Sequence, residues 1–179
     1  MVDPVTAHRL GFRLLFIGLA ALILFARILP LTTLPVVWPG PDMLLCLAIV
    51  WVLRRPDYIP AVVVAGVFLV DDLLAMRPPG LWALIVLLAC EFLRSRETGT
   101  RDLPFLGEWM MAGAVIAVVI LANQAAYVIF MIPQGGFAQP LIQLVTTVLA
   151  YPLVAIAMQV SFGLRRAATG EVDALGHRL

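Results

Sequence analysis

Between Trp109 and Leu164 the chain carries not one charged residue. An α-helix rises 1.5 Å per residue, so as a single rod that stretch would far outrun the roughly 30 Å hydrocarbon core of a bilayer. It has to turn back, and Pro133-Gln134-Gly135-Gly136 supplies the break. The rest of the chain is of the same kind. Of 179 residues, 63% are hydrophobic and 13% charged, and the mean hydropathy is +1.03. Soluble domains are about 45–50% apolar and about 25% charged. That balance excludes a soluble enzyme, a disordered tail and a secreted disulfide scaffold. A net charge of +1 with no basic block excludes a nucleic-acid-binding module. The expectation is an all-α polytopic membrane protein, six transmembrane helices in one bundle, forming a single integral membrane domain over residues 1–179.

The expected spans are about 10–29, 42–53, 59–76, 81–93, 105–132 and 139–164. The first follows Arg9 and Arg13, has no small-residue cleavage site behind it, and closes at Arg27 and Pro30; it reads as a retained helix rather than a signal peptide. A connection bearing Pro30, Pro35, Pro39 and Pro41 follows, too rich in proline to be helical throughout. The second span has an uncharged run of only Met43–Leu53, so it is short, tilted, or extended upstream through Val36 and Val37. Arg54-Arg55-Pro56-Asp57 and Arg77-Pro78-Pro79-Gly80 read as turns. The most polar stretch is Arg94 to Asp102, and Arg165-Arg166 ends the last span.

All twelve basic residues are arginine. Ten of them (Arg9, Arg13, Arg54, Arg55, Arg94, Arg96, Arg101, Arg165, Arg166 and Arg178) fall on one side of this topology, and only Arg27 and Arg77 on the other. The positive-inside rule then places both termini in the cytoplasm and the proline-rich connection outside. Trp38, Trp51, Trp82 and Trp109 fall near expected span ends, where an interfacial aromatic belt would hold them. Cys46 and Cys90 lie in apolar runs near opposite faces; they read as buried small side chains, and a disulfide between them is not expected.

Ionisable groups inside a span are expensive and stand out as candidates. Asp42, Asp71 and Asp72 gather toward the outer side, as do Arg27 and Arg77, so local pairing of acids with arginines is the expected arrangement. Asp71 and Asp72 project about 100° apart on a helix, so only one of them is expected to face the bundle. Asn123 and Gln124 are the polar pair of the fifth span, and Gln143, Thr146, Thr147 and Gln159 punctuate the sixth. Their expected role is hydrogen bonding between helices, at about 1 kcal/mol or less each, with ligand contact as the alternative. Pro152 lies inside the sixth span, where proline frees a carbonyl and bends a helix.

The only histidines, His8 and His177, lie in the termini. The sequence has no Ser/His/Asp set, no phosphate-binding glycine loop, no HExxH and no Cys/His metal spacing. No enzymatic activity, metal or cofactor is expected.

Several short stretches resemble the rod-shape-determining MreD family of bacteria. Pro41-Asp42-Met43-Leu44-Leu45 opens the second span after a proline-rich loop, and Trp51-Val52-Leu53-Arg54-Arg55-Pro56 closes it. Asp72-Leu73-Leu74 with Gly80-Leu81 eight residues on is similar to the family's Asp-Leu…Gly-Leu pattern, and Tyr151-Pro152 to its aromatic-Pro pair. The Arg54-Arg55-Pro56-Asp57-Tyr58 turn resembles alphaproteobacterial members. The chain departs from the pattern in doubling the acid (Asp71-Asp72) and in placing Met76-Arg77-Pro78-Pro79 where small polar residues are common. The resemblance implies a non-enzymatic scaffold of the elongasome in the bacterial inner membrane, required for rod shape and lateral peptidoglycan synthesis. It implies a bitopic MreC-like partner and, with it, RodA, a class B penicillin-binding protein and the MreB filament, as well as membrane lipid. It also implies a fold like that of the six-helix substrate-binding subunits of energy-coupling-factor vitamin transporters, and that likeness supplies the alternative: a subunit holding a small, vitamin-type molecule. The residues expected to matter for fold or partner contact are Asp42, Asp72, Gly80, Asn123, Gln124, Tyr151 and Pro152.

Overall fold

The computed structural model describes residues 4–29, 39–96, 104–132 and 136–164. The expectations for Pro30, Pro35, Trp38, Arg101, Pro133-Gln134-Gly135 and the tail beyond Leu164 lie outside the described residues. Within them the chain is all-α. Six helices follow in order: α1 (Pro4–Ile28), α2 (Met43–Arg54), α3 (Ala61–Leu74), α4 (Leu81–Ser95), α5 (Phe105–Ile129) and α6 (Ala138–Phe162). A short 3-10 turn at Pro56–Tyr58 joins α2 to α3. Three of the helices, over Arg9–Ile28, Phe105–Ile129 and Ala138–Phe162, are long and apolar enough to cross a membrane.

The short second segment begins at Met43, capped by Asp42. At 12 residues it is about 18 Å long, well under the thickness of a bilayer core. Every residue from Leu44 to Arg54 is buried. Helices α1, α4, α5 and α6 therefore enclose α2, which is why its sequence shows no polar face. Phe12 and Phe16 of α1 meet Trp51 edge-on at 6.0 and 5.6 Å, and Phe12 stacks on Tyr58 at 4.8 Å. Trp51 is fully buried, which overturns its expected place in an interfacial belt. Trp82 is buried too, and the half-buried Trp109 uses its indole N–H on another helix.

The third segment is shorter than expected at both ends. Pro60 precedes its first turn, and the chain leaves the helix after Leu74. Met76 sits there at φ 50°. The Met76 N–H donates to Leu73 O (3.3 Å) and the Arg77 N–H to Asp72 O (3.0 Å), the two bonds of a Schellman end. The end of α5 repeats the device with Met131 at φ 52°, where the Ile132 N–H reaches Tyr127 O.

Side chains such as Leu14, Leu22, Val62, Val118, Leu149 and Val160 point outward in the open. An apolar perimeter of that extent suits lipid rather than water. In lipid it contributes no hydrophobic drive to packing, so close fit and polar contacts between helices set the arrangement.

Candidate functional site

Polar side chains collect at the two ends of the bundle. One end is built from the last turn of α1, the start of α2, the end of α3 and the start of α4. Arg27 stands at its centre. Its Nη2 donates to Asp42 Oδ1 at 2.7 Å and its Nη1 to Asp71 Oδ1 at 2.8 Å. Asp42 also accepts the Leu45 N–H (3.0 Å), so one carboxylate oxygen both caps α2 and pairs with α1. Such a carboxylate is stabilised by the free N–H groups and dipole of the helix start. The Asp42 N–H in turn donates to Thr147 Oγ1 of α6 (3.0 Å). Arg77 approaches the other Asp71 oxygen at 3.7 Å. The expected pairing of Asp42 and Asp71 with Arg27 and Arg77 is what these contacts show.

Asp71 and Asp72 are both buried, against the expectation that only one faces the bundle. Their 100° separation sends them to different neighbours rather than sending one outward. Asp71 faces the arginines. Asp72 Oδ2 accepts the N–H of Gly80 (2.9 Å) and of Ala83 (3.2 Å). Gly80 precedes the first residue of α4, at φ 90°, a conformation glycine adopts without steric cost. It has no side chain with which to cap the helix, and Asp72 caps it from the preceding one. The eight-residue spacing thus has a physical cause: it is the distance over which the end of α3 reaches back to the start of α4.

The opposite end holds a cluster the sequence reading missed. Arg54 Nε donates to Glu108 Oε1 at 3.1 Å, and both side chains are almost wholly buried. The Tyr151 hydroxyl donates to the same oxygen at 2.7 Å. Arg54 Nη1 donates to Ala155 O (3.1 Å), Leu164 O (3.0 Å) and Gln159 Oε1 (3.4 Å). These bonds fasten α2 to α5 and α6. Arg54 had read as a turn residue, and Glu108 had not been singled out within the fifth span. The available signal was an acid within the first turn of an otherwise apolar helix.

Pro152 and Trp109 belong together. Lacking an N–H, Pro152 leaves Val148 O without its helical donor. The Trp109 indole N–H fills that place at 2.9 Å. Neighbouring residues of α5, Glu108 and Trp109, therefore hold α6 at Tyr151 and at Val148 O, the carbonyl that Pro152 leaves free. Thr147 and Gln159 make the expected bonds between helices, whereas Thr146 donates only to its own helix, at Ile142 O and Gln143 O. Cys46 and Cys90 are free and buried.

Asn123 and Gln124 line a cavity of about 320 Å³ at the Arg27 end. Ile120 and Tyr127 share that face of α5 at helical spacing, and Gln139, Pro140 and Gln143 of α6 stand opposite. Arg77 and Trp82 close one side, with the Arg77 guanidinium 5.3 Å from the Trp82 ring centre. Arg77, Pro39 and Gln143 also border a second cavity of about 580 Å³ that reaches Arg27 and Asp71. A third hollow, about 560 Å³, lies between α4 and α5 and is walled by aliphatic and aromatic side chains and Met111, with Ala89, Ala114 and Ala122 among them. Among the described residues no group of His, Cys, Asp and Glu is placed to hold a metal ion. Comparison of the chain with protein-family models, with curated proteins and with solved structures finds no match.

Proposed function

We propose that this protein is a non-enzymatic membrane scaffold that resembles MreD and supports rod shape and lateral wall synthesis through a bitopic, MreC-like partner in the inner membrane. The observation that carries the proposal is the apolar groove between α4 and α5. Small residues on both walls let another helix approach closely, which is how helices associate in lipid. The buried bonds at both ends of the bundle hold those walls in a fixed relation. The proposed topology is six spans with both termini cytoplasmic, in which α2, α3 and α4 cross as short helices completed by their connections. A reporter fused after Leu179 is then active only in a cytoplasmic form.

The test is depletion together with capture. Cells lacking the protein round up, and the tagged protein coprecipitates the bitopic partner. An Ala114→Trp variant, which fills the groove, accumulates normally and loses that partner. Rod-shaped depleted cells with abolished vitamin uptake overturn the scaffold in favour of a transporter subunit.

A further inference from the structure

We infer that the cavity between α4, α5 and α6 at the Arg27 end is a binding site for a small organic carboxylate that also carries an amide-type group. Its volume, about 320 Å³, is at the lower end of the range for small-molecule sites. Two of the residues that line it hold buried polar atoms with no hydrogen-bond partner: the Trp82 indole N–H and Asn123 Oδ1. Buried polar groups are nearly always bonded, and an unmet one is costly to the fold. Both atoms are closed to water, and both belong to residues that line one cavity; a small rotation of each side chain turns a donor and an acceptor toward it, the complement of a ligand group that offers both a C=O and an N–H.

The charge is as specific. Among the described residues lining this cavity, Arg77 is the one ionised side chain. It is held loosely, 3.7 Å from Asp71, and its guanidinium has donors left over for a planar carboxylate. Gln124, Gln139 and Gln143 surround the remaining space with amides, and Tyr127 and Trp82 supply flat apolar faces. A carboxylate at Arg77 and an amide between Trp82 and Asn123 describe an N-acylated amino acid or a dipeptide. This site is separate from the α4–α5 groove, so it stands or falls independently of the scaffold reading.

The full-length protein in lipid nanodiscs is titrated with a panel of N-acetylated amino acids and dipeptides, each paired with its C-terminal carboxamide. Thermal unfolding and tryptophan fluorescence are the readouts, since a ligand that binds only the folded state raises the melting temperature. At least one free acid saturably stabilises the protein and shifts its fluorescence, and its carboxamide binds at least about tenfold more weakly. Arg77→Gln removes that preference for the acid. Asn123→Leu places an apolar side chain on the cavity and removes an unmet acceptor, so it folds at least as stably as the parent and no longer responds to the acid. No response to any free acid at millimolar concentration, equal binding of acid and carboxamide, or an unchanged response in Asn123→Leu overturns the proposal.

Discussion

At the Arg54 end the side chains of the charge pair are 4% and 3% exposed, and carbonyls, a hydroxyl and an amide surround the pair. At the Arg27 end the arginine is 33% exposed. One of its partners, Asp71, is shared with Arg77, and two cavities border the cluster. Both ends join helices distant in sequence. The first does so by sealing charge into a dense, saturated packing, the second by distributing charge over groups that keep some access to their surroundings. A sealed pair has no substitute for a lost member, whereas a shared and partly open cluster does. The Arg54 end therefore acts as the fixed point of the bundle, and the Arg27 end is the one with room to accommodate something else.

The contrast is broken most sharply at Glu108. Glu108→Ala leaves Arg54 buried beside no counter-charge, a change that costs about 3–5 kcal/mol. The double variant Arg54→Met with Glu108→Leu recovers most of that loss. Equilibrium unfolding of the protein in detergent checks both. If Glu108→Ala is as stable as the parent, the sealed end is not the fixed point. Next in size is Trp109→Phe. It strips the donor from Val148 O and lowers stability by about 1–3 kcal/mol. The same change in a Pro152→Ala background, where the substituted residue supplies the helical N–H, costs clearly less.

At the other end the two adjacent acids separate. Asp72→Ala uncaps α4 and costs about 1–2 kcal/mol. Asp71→Ala costs under about 1 kcal/mol, because Arg27 keeps Asp42 and both arginines are partly open to their surroundings. Unfolding of the two purified variants, with their accumulation in cells, ranks them; equal losses would mean that the capping contact is not what sets Asp72 apart. One further change of similar size is a gain. Met131 holds a left-handed conformation that costs a side-chain-bearing residue about 1 kcal/mol, and Met131→Gly raises stability by about that amount, read as a shift in unfolding midpoint.

Helix number and order were legible because they follow from length, hydropathy and the placement of turn residues. So was the pairing around Arg27, since two arginines and three acids fall at one depth of the predicted topology. The Asp72–Gly80 relation was visible as a spacing, and its cause emerges only when α3 and α4 lie side by side. Arg54 and Glu108 were not legible. Each lies at the border of an apolar run, where a charged residue ordinarily meets water or headgroups. Their meeting depends on α2 being shorter than its neighbours, so that its last residue stops beneath the first turn of α5. Trp51 was misplaced for the same reason: a residue near the end of a short helix lies deep among longer ones. The two Schellman ends carry methionine in place of the usual glycine and left no mark in the sequence.

The enclosure of α2 bears on how the protein is made. A 12-residue helix with Asp42 before it and Arg54 at its end is a weak signal for lateral release into lipid, where roughly 20 apolar residues are the norm and central charges are penalised. What makes its ends tolerable arrives from both directions along the chain: Arg27 emerges before it, and Glu108, Thr147 and Tyr151 long after. The ribosome has thus delivered most of the polypeptide before the segment at the middle of the bundle has all its bonding partners. Until α6 is synthesised, α2 must be sheltered by α1 and α4 or by the insertion machinery, and chains cut short before Thr147 are natural targets for membrane quality control.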